Sequence, residues 1–165
     1  MDIVIDGYNL IGSESGLAGA LEYKRNWLIK QLVRYQEIKK FNLTVVFDGW
    51  RSGQPREVAE RAGGIAVVYS RLGEKADAVI VRIARTQSSG AVIVTSDREI
   101  RSAVERLGAA TVSAAEFNRI LRSLDGSPRD DDDEEEDLRT AKRGNANRLS
   151  KSERRHNDKL KKLKL

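Results

Sequence analysis

Short runs of β-branched and apolar residues recur along the chain, and each is followed by a longer segment with apolar residues at helical spacing. This alternation is typical of parallel βα units, because parallel strands need crossover connections, usually helices. The predicted strands are residues 2–6, 42–47, 65–69, 91–95 and a weak fifth at 109–112. The pattern predicts an α/β fold, a three-layer α/β/α sandwich around a central, mainly parallel sheet of about five strands.

The same spacing predicts helices over residues 23–40, 76–85, 97–107 and 113–124. Ser96 is the expected N-cap of the third helix, and Ser113 with Glu116 forms a capping box for the fourth. The first helix is predicted to pack on the sheet through one apolar face, formed by Trp27, Leu28, Leu32, Tyr35 and Ile38.

The βα pattern stops after 126–128, which divides the chain into a predicted domain (1–126) and a charged tail (127–165). The tail has eight consecutive acids at 130–137, then eleven bases against two acids over 139–165. We expect it to be disordered or partly helical, because its acids stay solvated and its leucines (149, 160, 163 and 165) are too sparse for a core. Two interpretations stay open: a segment that binds ribosomal RNA, and a solubilising extension.

Composition restricts the chemistry. The chain has no cysteine and a single histidine, His156, in the tail, which argues against disulfides, cysteine nucleophiles, catalytic triads and His- or Cys-type zinc sites. There is no apolar stretch of transmembrane length, and acids stand where a signal peptide needs bases, so we expect a cytoplasmic protein without membrane contact. A net charge of +5 favours polyanionic partners.

Aspartates stand where the predicted strands end. Asp6 ends the first strand, Asp48 the second, and Asp97 follows the fourth, while Asp77 opens the helix after the third. The carboxyl ends of parallel strands form one edge of the sheet, where ligand sites of such folds lie. The sequence therefore predicts that these four carboxylates meet.

Each aspartate has an ordinary explanation, since Asp is favoured at helix N-termini and in turns. Asp6 and Asp48, each followed by Gly, do not obviously open a helix, and capping does not predict an acid at nearly every strand end. Crowded carboxylates repel one another unless a cation shares them. All-oxygen ligands favour Mg²⁺ or Mn²⁺, which activate water and polarise phosphoryl oxygens, so the set suits phosphodiester hydrolysis. Walker and dinucleotide-binding motifs are absent from the sequence.

Four segments in order carry a resemblance: 3–11, with Asp6-Gly7-Tyr8-Asn9; 46–49; 74–77; and 94–100. Over residues 1 to about 124, the chain resembles the YacP-like NYN-domain family of PIN-like nucleases. The resemblance implies a metal-dependent endoribonuclease with Mg²⁺ or Mn²⁺ on Asp6, Asp48, Asp77 and Asp97, and Asn9 orienting Asp6 or the scissile phosphate. It also implies RNA as substrate, specifically mRNA cut on the ribosome, since the best-known relatives are ribosome-associated.

RNA must also be held outside the acidic site. Basic residues in loops near the catalytic edge are candidates for phosphate contacts, although each alone is also an ordinary surface charge: Lys24, Arg25, Arg51, Arg56, Arg71, Lys75 and Arg98. Trp50 is a candidate for stacking on a base, and Tyr8 is more simply explained by packing. Two alternative functions stay open: a non-catalytic RNA- or ribosome-binding module, and a phosphatase for small phosphoesters.

Overall fold

The computed structural model describes residues 1–49, 56–87, 90–124 and 150–164. In these ranges a six-stranded sheet has the order β3-β4-β2-β1-β5-β6. The strands are β1 Asp2–Asp6, β2 Asn42–Phe47, β3 Val58–Ala62, β4 Ile65–Tyr69, β5 Val92–Val94 and β6 Ala110–Val112. All neighbouring pairs are parallel except β3–β4. The predicted mainly parallel α/β sheet is confirmed.

Helices cover both faces of this sheet. They are α1 Gly7–Ser15, α2 Leu21–Lys39, α3 Ala76–Thr86, α4 Arg98–Arg106, α5 Ala114–Ser123 and α6 Lys151–Leu163. One core lies between the sheet and α1, α2, α5 and the end of α6, and a second, smaller core lies between the sheet and α3 and α4. Alternate residues of β1 enter the two cores, which gives the predicted three layers. None of the helices in the described ranges is long and apolar enough to cross a membrane.

The edge strand β3 is absent from the sequence prediction. Three of its five residues are exposed, so it lacks the apolar run that marks the buried strands. It pairs antiparallel with β4 through a tight turn at Gly63-Gly64, where both glycines have positive φ (53° and 89°). A Gly-Gly pair is a hairpin signal, and it was the available clue to this strand.

Helix α1 is also missing from the prediction, and it corrects the interpretation of Asp6. The helix begins immediately after β1, with Asp6 as its N-cap. The predicted N-cap Ser96 is likewise wrong, since Asp97 caps α4 by accepting from the backbone N–H groups of Glu99 and Ile100. The capping box of Ser113 and Glu116 on α5 is confirmed.

Helix α2 packs through a narrower face than predicted. Leu28, Leu32 and Tyr35 are buried as expected. Trp27 and Ile38, however, are 40% and 59% exposed. They lie on the solvent side because the helical rotation places them about 100° and 80° from Leu28. Their assignment to the core was wrong.

Helix α6 packs on the domain. Leu163 is fully buried in the larger core, and its carbonyl accepts a hydrogen bond from Tyr35 Oη at 2.9 Å. The expectation that the leucines of the tail are too sparse to join a core is therefore wrong for Leu163, and also for Leu160, which is partly buried against the same core. The acidic run at 130–137 lies outside the described residues.

Candidate active site

Asp6 lies at the carboxyl end of β1, between β2 and β5. This is where the strand order reverses, the position at which open parallel sheets form a crevice. Its side chain is only 8% exposed. Asp6 Oδ1 accepts a hydrogen bond from Asn9 N at 3.1 Å, and Oδ2 accepts one from Thr95 Oγ1 at 3.3 Å. The carboxylate is thus buried and fixed from two elements.

Thr95 connects Asp6 to Asp97. Its side chain is fully buried, and Oγ1 also accepts from Asp97 N at 3.1 Å. Asp97 Oδ1 in turn caps α4 through Glu99 N at 2.7 Å and Ile100 N at 3.2 Å. One hydroxyl therefore sets the spacing of two candidate residues from neighbouring strands.

Asp48 follows β2 and is attached to the start of α3, where its Oδ1 accepts from Ala76 N at 2.6 Å. The turn after it requires glycine, because a Cβ on Gly49 would lie 1.5 Å from the Ser70 carbonyl oxygen. The buried Ser70 hydroxyl accepts from Gly49 N at 2.9 Å and donates to the Glu74 carbonyl at 2.6 Å. Sequence analysis missed Ser70, since a serine after a strand carries no distinguishing signal.

Repulsion between their carboxylates indicates that the four aspartates lie near one another. The pKa of Asp6 is raised to about 6, mainly because its side chain is buried. Repulsion from Asp77 and Asp48 raises this pKa further, while the hydrogen bonds from Asn9 and Thr95 lower it. Burial also raises the pKa of Asp77, together with repulsion from Asp97 and Asp48. Each of the four thus takes part in a repulsive interaction with another, which is the juxtaposition that the strand ends predicted.

None of these carboxylates forms an ion pair with an arginine or lysine in the described ranges. The same part of the chain contains no group of three or more His, Cys, Asp or Glu side chains arranged to hold a metal ion. The four aspartates therefore do not form a preformed metal site made of protein ligands alone. Mg²⁺ in proteins is commonly held by one or two carboxylates, with waters and substrate phosphates as the other ligands.

Asn9 joins the loop after β5 to α1. Its side-chain Oδ1 accepts from Ser96 N at 2.8 Å, while its backbone N–H donates to Asp6. Ser96 Oγ also accepts from Ala114 N, at the start of α5, at 3.1 Å. The Asn9 side chain thus ties the loop after β5 to α1, and its contact with Asp6 is made by its backbone alone, so a catalytic role of this side chain stays a prediction.

The predicted RNA contacts differ in their surroundings. Lys24 Nζ donates to the carbonyls of Ser15, Gly16 and Ala18 at 2.8–3.0 Å and so closes the α1–α2 loop. Arg25 is half-buried and donates to Tyr8 Oη at 2.9 Å, with its guanidinium 6.0 Å from the centre of the Tyr69 ring. Tyr8 itself is buried against Phe47.

The remaining basic candidates lie nearer to solvent. Arg71 is exposed and pairs with Glu74 at 3.3 Å. Arg56, Lys75 and Arg98 are exposed, before β3 and at the starts of α3 and α4. Trp50 and Arg51 lie outside the described residues. The three exposed cations remain candidates for phosphate contacts.

A groove of about 500 Å³ opens beside Asp77, between α3 and α4. Arg85 and Glu99 line it, and neither was selected from the sequence. Arg82, also in its wall, pairs with Glu74 and Glu57. Charged residues on exposed helix faces are ordinary, so only the packing of the two helices reveals this groove.

A mainly parallel sheet with aspartates at its carboxyl edge, none of them in an ion pair within the described ranges, defines an α/β domain consistent with the PIN-like fold. A model of the YacP-like NYN domain matches residues 3–163, so the chain belongs to this family. The match extends beyond residue 124, where the sequence motifs end, and includes α6. Proteins of the NYN family are in general RNA-cleaving nucleases.

Two similar solved structures are of Rae1 (YacP) from Bacillus subtilis. A single-substitution mutant of it has a TM-score of 0.63 and 21% identity, over 98% of this chain and 91% of that chain. A second Rae1 structure has a TM-score of 0.62 and 25% identity, over 85% of this chain and 80% of that chain. These likenesses show that the fold is shared. No curated protein sequence matches the chain.

Proposed function

We propose that this protein is a metal-dependent endoribonuclease that hydrolyses RNA phosphodiester bonds at the aspartate cluster. The observation that carries the proposal is the set of four carboxylates from separate elements. Burial and repulsion from other carboxylates of the set raise the pKa of Asp6 and of Asp77, and none of the four forms a salt bridge with an arginine or lysine in the described ranges. Retaining buried repulsion without a compensating ion costs stability, which is typical of functional sites. Membership of a nuclease family supports the same conclusion.

The chain's own residues prepare the site. Thr95 and Asn9 hold Asp6 in place, and Asp97 and Asp48 are fixed by the N-termini of α4 and α3. These helix N-termini direct their positive dipole ends to the cluster, which favours an anionic phosphate there. Asp6, Asp48, Asp77 and Asp97 are the residues that would hold Mg²⁺ or Mn²⁺. The bound ion would supply a hydroxide nucleophile and neutralise charge on the phosphoryl oxygens.

The proposed substrate is messenger RNA, and the proposed setting is the cytoplasm, with the ribosome as a further partner. These extend the family resemblance to this chain. Arg56, Lys75 and Arg98 are exposed around the cluster and are suited to hold the phosphates that flank the cut.

The test compares the wild type with the Asp6→Asn and Asp97→Asn variants on one structured and one unstructured RNA, with Mg²⁺, with Mn²⁺ and with EDTA. We expect cleavage only with metal, and a loss of at least a hundredfold in either variant. Asp2→Asn is the matched control, because Asp2 lies at the opposite end of β1 and bonds to Asn42. Cleavage in EDTA, or undiminished cleavage by both variants, would overturn the proposal.

One observation favours the alternative of a non-catalytic RNA-binding module. Asp6, Asp48 and Asp97 each accept a hydrogen bond from a backbone N–H in the first turn of a helix, a structural role that needs no metal. RNA binding without cleavage under every metal condition would support this module. Hydrolysis of an aryl phosphate in place of RNA would instead indicate a phosphatase.

A further inference from the structure

The solvent face of α2 carries a continuous stripe of large side chains. Tyr23 is 73% exposed, Trp27 40% and Ile38 59%. Lys30 and Arg34 lie between the last two along the helix and are also exposed. At 100° per residue, these five positions fall within about 80° of one another, so they form one surface, here called the α2 stripe.

Chains seldom expose large apolar side chains together without a partner. Of the large hydrophobic residues exposed in the described ranges, three lie on the α2 stripe, and the others are Leu17 and Leu72. Tyr23 and Trp27 are one turn apart, which places their attachment points about 6 Å apart along the axis. The arrangement is an aromatic pair followed by two cations.

The stripe begins at the catalytic edge of the sheet. Helix α2 follows β1 and precedes β2, and it runs antiparallel to both strands. Arg25, in the second turn of α2, contacts Tyr8 beside the aspartate cluster and Tyr69 at the end of β4. The other end of α2 leads into the start of β2. Tyr23 and Trp27 are therefore on the half of the helix nearer the aspartates.

We propose that the α2 stripe binds a single-stranded segment of RNA, with Tyr23 and Trp27 stacking on bases and Lys30 and Arg34 contacting phosphates. The inference rests on the proposed function, because it treats the bound strand as the continuation of the substrate away from the cluster. Charge complementarity favours this occupant over a protein: the α2 stripe carries the two exposed cations Lys30 and Arg34 and no acidic residue. Exposed aromatic rings next to cations are the usual means of binding single strands without sequence preference.

The test measures binding of a fluorescein-labelled twelve-nucleotide oligouridylate to the full chain in EDTA, with gels to verify that the RNA stays intact. We expect Tyr23→Ala and Trp27→Ala each to weaken binding about tenfold. An abasic oligomer of the same length retains the phosphates and removes stacking, so these two variants should bind it as the wild type does. Lys30→Ala and Arg34→Ala should weaken binding of both oligomers and reduce the salt dependence.

Two control variants match these substitutions. Asn26→Ala changes an exposed residue of the same helix outside the stripe, and Ile38→Ala removes an apolar side chain that has no face for stacking. Both should bind the oligouridylate as the wild type does. Circular dichroism melts would verify that every variant folds. As a second measurement, Trp27 fluorescence in a Trp50→Phe background should be quenched by saturating oligouridylate.

Unchanged RNA binding by both aromatic variants, or unquenched Trp27 fluorescence, would overturn the inference and leave a protein partner as the occupant. The cleavage assay separates this failure from failure of the proposed function. If the wild type cuts RNA but the Tyr23→Ala and Trp27→Ala variants bind RNA normally, only the α2 stripe proposal fails. If the wild type does not cut RNA yet the aromatic variants lose binding, the nuclease proposal fails and the binding surface stands.

Discussion

At the scale of single residues, Asp6 combines roles that conflict. It caps α1 and is 8% exposed at the centre of the sheet edge, where its negative charge is repelled by Asp77 and Asp48. A carboxyl whose folded pKa is raised binds its proton more tightly in the folded chain, so folding stability falls as pH rises from 3.8 to about 6. The charged site is therefore maintained at a cost in stability of about 3 kcal/mol above pH 6.

We expect Asp6→Asn to stabilise the metal-free chain by about 1–3 kcal/mol at pH 8 while it abolishes cleavage. The amide retains an oxygen acceptor for Asn9 N–H and removes the buried charge. At pH 4, where Asp6 is protonated in the folded chain, the gain should largely disappear. Urea unfolding at the two pH values would measure this, with Asp2→Asn as the control. Equal destabilisation at both pH values would contradict the prediction.

Gly49→Ala should destabilise the chain by about 1–3 kcal/mol, because the added Cβ would overlap the Ser70 carbonyl oxygen. The displaced turn would also move Asp48 and reduce cleavage. Gly90→Ala is the matched control, since a Cβ there has no atom within 4 Å. Thermal melts of the two variants provide the comparison, and equal melting temperatures would show that the turn adapts without cost.

At the scale of elements, α6 is attached through a histidine that bonds on both sides of its ring. His156 Nδ1 is 2.7 Å from the Thr111 carbonyl oxygen, and Nε2 is 3.2 Å from Glu116 Oε1. Both partners are acceptors, so the ring satisfies them only as the doubly protonated imidazolium. Glu116 also forms the capping box of α5, next to the Ala114–Ser96 bond that leads to Asn9. The attachment of α6 is therefore connected by hydrogen bonds to the candidate active site.

The stability added by His156 should depend on pH. The hydrogen bond to Glu116 raises the pKa of His156 despite burial, so its contribution is complete below 6.5 and is lost as pH rises through the raised value. Burial raises the pKa of Glu116, but hydrogen bonds from His156 and Ser113 outweigh burial and lower this pKa to about 2. The stability that the Glu116 carboxylate adds is therefore complete above pH 4.5 and is lost toward pH 2. The attachment is strongest between about pH 4.5 and 6.5.

We expect His156→Ala to lower the free energy of unfolding by about 1.5–3 kcal/mol at pH 5.5 and by less at pH 9. Glu116, whose pKa is lowered to about 2, is ionised at both pH values, so the pH dependence of the difference from wild type reports the titration of His156. Asn157→Ala, at an exposed position on α6, is the control. A loss that does not vary with pH would show that His156 contributes packing alone.

At the scale of the whole molecule, the aspartate cluster joins both halves of the sheet, since Asp6, Asp48 and Asp97 follow three adjacent strands. A cation bound there would stabilise the complete fold by mass action. At a free cation concentration ten times the dissociation constant, binding would stabilise the fold by about 1.4 kcal/mol. For a chain of this size, that raises the melting temperature by about 3–5 °C.

Mg²⁺ should therefore raise the melting temperature of the wild type by about 3–5 °C at pH 8, and by less at pH 5.5, where Asp6 retains its proton. The shift should vanish in a chain with both Asp6→Asn and Asp97→Asn. Sodium chloride at equal ionic strength controls for screening. An undiminished shift in the double variant would place the bound cation elsewhere.

The sequence by itself determined the βα order of the chain, and with it the edge at which the aspartates lie. Alternation of apolar runs and amphipathic segments requires parallel strands, whose carboxyl ends share one side. It also identified the capping box of Ser113 and Glu116, because that signal spans four residues. These features depend on residues close together in the chain.

Only the tertiary structure decided which side chains became buried or paired. It placed β5 beside β1 so that Thr95 contacts Asp6, exposed Trp27, buried Leu163, and added the edge strand β3. Each outcome depends on contacts between segments far apart in the chain. A local pattern records how apolar a residue is, but its surroundings are set by the distant elements that pack against it.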